Sequence, residues 1–158
     1  KRQQSKCRIY LLVMKSFNVI PPVAKSDIPS VLRGVGISIT PQRVEIASII
    51  LSRIQHLSAD HIRKTLKSNN MAVSKATVYN TLGLFVARGV VRELIVDGVC
   101  SFYDSNTKPH HHFYYTDKSE LIDFPSDDTQ IQNLPELPPG TEMDRVDLVI
   151  RLRRQERN

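Results

Sequence analysis

The apolar residues of this chain change their period at Gly89, from 3.6 before it to 2 after it, so helices must come first and sheet second. Asp27 and Pro29 open a short helix of about two turns that Gly34 and Gly36 close. Thr40-Pro41 then sets a capping residue before a proline suited to the first helical position. Val44, Ile46, Ala47, Ile49, Ile50 and Leu51 follow at helical spacing, which predicts a mostly buried second helix. Ser58 caps residues 59–68, where Ile62, Thr65 and Leu66 form a narrow apolar stripe and Asn69-Asn70 marks the end. Ser74 caps a further helix over 75–88, closed by Gly89.

Past the switch, residues 90–96 and 99–103 flank Asp97-Gly98, a dipeptide that favours a tight hairpin turn. Helices followed by a two-stranded hairpin is the order of a winged helix-turn-helix, with residues 69–73 as the turn of the motif. Strands are then expected over 110–115 and 120–124, around Asp117-Lys118-Ser119, followed by a polar segment with prolines over 125–139. In a final strand Val146, Leu148, Ile150 and Leu152 alternate with Asp147, Arg151 and Arg153. About 50 residues of half-buried sheet are marginal alone, and pairing with a second copy is the simplest remedy, so a homodimer is expected. The predicted fold class is α+β. An N-terminal extension over 1–26, poorly ordered, precedes a winged-helix DNA-binding domain over 27–104. A small α/β dimerisation domain is expected to follow over 105–158.

Charge divides along the same line. The chain is +6 at pH 7, yet residues 1–100 carry 15 Lys and Arg against 5 Asp and Glu, while residues 101–158 carry 7 against 11. A basic first half joined to an acidic second half suggests that one part meets a polyanion. Cys7 and Cys100 are far apart and no Cys-x-x-Cys pair occurs, which argues against a disulfide framework and a thiolate zinc site. Lys15 interrupts the apolar run 9–14, and no stretch approaches the roughly 20 apolar residues of a membrane helix. The expected location is cytoplasmic, with no membrane partner. Met14 is a candidate start, with residues 1–13 as an upstream extension.

Two segments carry chemistry. The second helix of a helix-turn-helix lies in the major groove of double-stranded DNA with its N-terminal residues at base edges. Here those are Ser74, Lys75, Thr77, Tyr79 and Asn80: Asn pairs bidentately with adenine, Thr and Tyr offer hydroxyls and apolar contact to thymine methyls, and Lys75 meets phosphate. Val78, Leu82 and Phe85 would pack inward, and Arg43, Arg63, Lys64 and Lys67 would add phosphate contacts. The other segment is Pro109-His110-His111-His112-Phe113-Tyr114-Tyr115. In a strand that rises about 3.3 Å per residue, His110 and His112 leave one face and His111 the other. Two imidazoles on one face can close on one transition-metal ion at roughly 2.0 to 2.1 Å each.

The chain resembles the ferric uptake regulator family of metal-responsive repressors. The residues that carry the match are Thr40-Pro41-Gln42-Arg43, His56-Leu57-Ser58-Ala59-Asp60, Ala76-Thr77-Val78-Tyr79-Asn80-Thr81-Leu82, Gly89-Val90-Val91, His110-His111-His112 and Leu121-Ile122-Asp123-Phe124, in family order over roughly residues 28–153. The resemblance implies an operator-binding winged helix joined to a dimerisation domain, with a regulatory divalent ion between them. Carried over by position, the ligands fall on His56, Asp104, His110, His112 and Asp123, a mixed imidazole and carboxylate set that suits Fe(II), Mn(II) or Zn(II) without selecting one. The two Cys-x-x-Cys pairs that hold structural zinc in many members are missing, with Tyr115 and Lys118 where the first would stand, so no structural zinc is expected.

That absence, with consecutive histidines running into aromatics, looks like the iron response regulator branch, whose members bind haem and control haem and iron genes. Haem would take His110, His111 and His112 as axial ligands. The Cys-Pro haem motif of some members is not matched, since Arg8 follows Cys7. Two other readings compete. Asp104, His110 and His112 could form a two-His-one-carboxylate triad for non-haem iron chemistry, although no Gly-rich loop or nucleophile–base pair accompanies them. Alternatively, the chain is a DNA-binding protein whose histidines sense no metal.

Overall fold

A computed structural model describes residues 19–96, 98, 101–126, 129, 131 and 134–154. Most of the N-terminal extension (residues 1–18) and the hairpin positions Asp97, Val99 and Cys100 lie outside the described residues. The chain divides into two compact units, one ending at Thr107 and one beginning at Lys108.

The first unit is built from helices α1 (Ile28–Gly34), α2 (Pro41–Ile50), α3 (Ala59–Ser68) and α4 (Lys75–Ala87) and strands β1 (His56–Ser58), β2 (Arg92–Ile95) and β3 (Ser101–Asp104). Each expected cap on α2 to α4 is made. Thr40 accepts from the Arg43 N–H at 3.3 Å, Ser58 from His61 at 3.2 Å and Ser74 from Thr77 at 3.1 Å, so each satisfies a backbone donor left over at a helix start. At the far end of α3, Asn70 adopts φ 57 and the Met71 N–H returns to the Leu66 carbonyl at 2.9 Å. Gly89 does the same for α4 with φ 67, and the Val90 N–H returns to Phe85 at 2.9 Å.

These caps aim three apolar faces at one core. Ile46 and Ile50 of α2, Ile62 and Leu66 of α3, and Val78, Leu82 and Phe85 of α4 are all buried there, with Ile28 and Leu32 of α1. Within the expected N-terminal extension, Val19 is buried in this core and the Val23 N–H donates to the Leu51 carbonyl at 2.8 Å.

Strand β2 is shorter than alternation predicts, because Val90 and Val91 go into the helical core instead of the sheet. The sheet order is β1-β3-β2, all antiparallel. Strand β1 is absent from the sequence-based expectation. Its three residues carry no alternation of their own, and it forms by pairing with β3 in the register His56↔Asp104, Leu57↔Tyr103, Ser58↔Phe102.

The second unit is a sheet in the order β5-β4-β6, from β4 (His110–Tyr115), β5 (Glu120–Pro125) and β6 (Val149–Leu152). β5 pairs antiparallel with β4, whereas β6 lies parallel to it. The final strand is therefore only the second half of the alternating run that begins at Val146.

A polar clasp braces the helix-turn-helix. Glu45 of α2, buried, accepts from Lys25 before α1 and from Asn69 after α3, the latter at 3.2 Å. The Lys25 ammonium, helped by the Asn69 amide, holds the Glu45 carboxyl below the usual carboxylate range against the opposing effect of burial. A carboxyl lowered on folding stabilises the protein above its unfolded value and loses that contribution as pH falls through the lowered one. Glu45→Gln is therefore expected to cost about 1 kcal/mol at neutral pH. In urea melts the difference from wild type should vanish as the medium becomes acidic enough to protonate Glu45.

Candidate metal centre and nucleic-acid interface

In the first unit, cross-strand pairing places His56 of β1 directly opposite Asp104 of β3, so both side chains leave one face of the sheet. His56 Nε2 lies 3.6 Å from Asp104 Oδ1, with Asp104 fully buried. The loop residues beside them are held by bonds that no local pattern announces. Ser105 Oγ accepts from the Gln55 N–H at 2.9 Å and donates to the Arg53 carbonyl at 3.0 Å, and the Ser105 N–H donates to the Gln55 carbonyl at 3.1 Å. Asp104 Oδ1 accepts from the Asn106 N–H at 2.7 Å, which fixes the carboxylate's orientation. These clamp residues are separated in sequence by about fifty positions, so only tertiary structure reveals them.

In the second unit, alternation along β4 does what the sequence predicts. His110 and His112 share a face with ring centroids 4.5 Å apart, and their Nε2 atoms lie 2.9 Å apart. Asp123, the cross-strand partner of His112 on β5, brings Oδ1 within 3.5 Å of His110 Nε2 and 3.7 Å of His112 Nε2. His110 Nδ1 lies 2.7 Å from the Lys108 carbonyl. A carbonyl only accepts, so Nδ1 carries a proton and Nε2 is the nitrogen turned toward His112 and Asp123. Proteins fix metal-binding histidines by the same kind of backbone contact.

His111 leaves the opposite face. Its ring meets Phe124 edge-on at 5.5 Å, and its Nδ1 accepts from the Leu148 N–H at 3.4 Å. It is as buried as His110, and it is apart from the three converging groups. His61, on α3, is exposed.

The nucleic-acid candidates occupy the first two turns of α4. Ser74, Lys75, Tyr79 and Asn80 are exposed and Thr77 is half-buried, whereas Val78, Leu82 and Phe85 point into the core as their spacing predicts. Ser74 and Thr77 hydroxyls lie 2.8 Å apart, and the Lys75 ammonium sits 5.5 Å from the Tyr79 ring centroid, which pre-positions a cation and an aromatic ring side by side. Burial pushes the phenol of Tyr103 up to about 12, with Glu93 and then Tyr79 adding to the effect, so it stays neutral behind this face. Arg43 is more committed: its guanidinium donates to the Ser38 carbonyl at 2.8 Å and to the Ser38 hydroxyl. Arg63, Lys64 and Lys67 are exposed on α3, Arg63 being 3.5 Å from Asp60.

The family profile described as "Ferric uptake regulator family" matches residues 34–149. The peroxide-responsive repressor PerR of Staphylococcus aureus strain Mu50 is 38% identical over 93 residues, which are 59% of this chain and 63% of that protein. The chain thus spans under two thirds of the length of that curated relative. Among solved structures, the ferric uptake regulator of Pseudomonas aeruginosa with manganese superposes with a TM-score of 0.63 at 26% identity, covering 82% of this chain and 98% of that one. The ferric uptake regulator of Francisella tularensis with iron gives 0.61 at 24%, covering 76% and 93%, a likeness of fold. The α+β assignment stands on these superpositions. The relatives named are regulators, and the reading as a non-haem iron enzyme is set aside.

The converging triad predicts a separation of roles among the histidines. His112→Ala or Asp123→Asn should weaken Co(II) binding by about tenfold or more, read from the metal's visible absorption, whereas His111→Phe should leave it unchanged. Loss of Co(II) binding in the His111 variant would contradict the face assignment.

Proposed function

The chain belongs to the ferric uptake regulator family, and from that membership and the two sites above we propose that the protein is a sequence-specific DNA-binding repressor whose state is set by a divalent metal ion. The observation that carries the reading is the approach of His110, His112 and Asp123 to within 3.7 Å of one another through ligating atoms. Two imidazoles and a carboxylate at that spacing suit a borderline ion such as Fe(II), Mn(II) or Zn(II). His56 and Asp104, which the resemblance adds, complete the set. Zinc bound by cysteine is not part of the proposal.

The ion supplies positive charge and a preferred coordination geometry when bound. The residues do the rest: the Lys108 carbonyl orients His110, Asn106 orients Asp104, and the strand register keeps Asp123 opposite His112. An ion that draws ligands from both sets binds best to the arrangement that offers all of them, and so shifts the population toward it. On the DNA side, Ser74, Lys75, Thr77, Tyr79 and Asn80 read the major groove of an operator and Arg43 lies near the phosphates. Two copies, paired through the second unit, would place two α4 helices on a palindromic site.

The finer assignment, to iron and haem genes with haem as the signal, rests on the resemblance of the histidine run to the iron response regulator branch. Because His111 leaves the opposite face from His110 and His112, haem coordinated by the run would use one side of β4 at a time.

Selection from a random duplex DNA pool by the full chain tests these assignments, with metal stripped, with Mn(II), and with haem added. Enrichment of a palindromic sequence that depends on Mn(II) is the expected result, and an effect of haem on that binding would support the branch assignment. Lys75→Ala should weaken binding to all sequences and reduce the slope of log K against log salt by about one. Asn80→Ala should cost about 1 to 3 kcal/mol and relax the preference at one base pair. Recovery of no enriched sequence under any condition would sink the proposal.

A further inference from the structure

The row that holds His56 and Asp104 has a third member that no metal-binding pattern includes. In the register of β2 on β3, Arg92 is the cross-strand partner of Asp104, just as His56 is its partner on the other side. Partners in an antiparallel register project from the same face with Cβ atoms about 4.5 to 5.5 Å apart. Arg92 therefore shares the face of His56 and Asp104, and it is itself only 7% exposed. A buried arginine is unusual, because its charge is permanent and its desolvation is unfavourable unless an anion answers it. Asp104, at 0% exposure, is the acidic residue in that row.

From this placement we infer that Arg92 sets the threshold for metal binding. It is the resident counter-charge of Asp104 in the metal-free protein and an electrostatic competitor of the incoming ion. With no ion bound, the buried carboxylate is stabilised by the guanidinium across the strand. When a divalent ion arrives, the same carboxylate faces two cations, and their repulsion lowers the affinity. Arg92 is not a ligand and acts on the ion through Asp104. The arrangement lets the site respond at a higher free-metal concentration than its ligands alone would dictate, while the metal-free fold stays intact. The inference rests on the proposal that Asp104 ligates the ion.

Full-length wild type, Arg92→Met and Arg92→Lys, each stripped with chelator, would be titrated with Mn(II) alone by calorimetry and melted with and without it. Arg92→Met removes the charge and keeps an unbranched apolar stem. It should bind Mn(II) about tenfold more tightly, melt at a lower temperature when metal-free, and gain a larger rise in Tm on adding Mn(II). Arg92→Lys, which restores the charge, should return affinity and melting toward wild type. Lower stability with unchanged or weaker Mn(II) binding would mark Arg92 as merely structural and overturn the inference, as would a Lys variant that behaves like Met. If Arg92→Met shows no cooperative melt, Arg92→Gln carries the same expectation and the same grounds for rejection. Failure of wild type itself to bind Mn(II) would instead overturn the metal reading on which the inference stands.

Discussion

The register of β3 is the constraint on which the first unit's chemistry depends. This four-residue strand is paired on both sides, and its last residue, Asp104, is the point where His56 and Arg92 meet it. Side chains in a strand alternate with a period of two, so a slip of one residue would send Asp104 to the helical core and Tyr103 to the histidine. Such a slip is opposed from both faces at once. Tyr103 and Leu57 belong to the helical core, whereas Asp104 is tied to the loop by the Asn106 N–H, and Ser105 locks the loop to Gln55. Apolar burial and hydrogen bonding thus favour the same register.

The second unit applies the same rule to a different end. Its central strand, β4, separates three consecutive histidines into a pair that faces Asp123 and a single ring that packs on Phe124. One ring nitrogen of His110 is taken by a backbone carbonyl and one of His111 by a backbone N–H, so neighbouring residues settle which nitrogen of each remains for other use. The run reads as a repeat in sequence, but its members occupy distinct chemical settings.

What could be read from the sequence follows from how local the cause is. Thr40, Ser58 and Ser74 cap their own helices across three residues, and the spacing of Val78, Leu82 and Phe85 fixes the buried side of α4, so these features were legible. The alternation that separates His110 and His112 from His111 was equally local. Strand β1 was not legible, since its three residues become a strand only by pairing with β3 more than forty positions away. The clamp of Ser105 on Gln55, the brace of Glu45 on Lys25 and Asn69, and the burial of Arg92 beside Asp104 have the same origin. Alternation also overstated the last strand, because a pattern of apolar and polar residues from Val146 onward does not say where a hydrogen-bonding partner begins.

The parallel seating of β6 against β4 has a consequence for how the protein is made. His112 donates its backbone N–H to the Leu148 carbonyl at 3.0 Å, and Thr116 to that of Leu152 at 3.0 Å. During synthesis, β4 and β5 can close as a hairpin as soon as they emerge. One edge of the histidine strand nevertheless stays open until the chain has been extended through Leu152. For that interval its backbone donors and acceptors are available to any other strand in reach, including one from a second nascent copy. The histidine strand is therefore completed only once β6 has been made, and shortening the chain before Val149 would leave its histidines on a permanently unfinished edge.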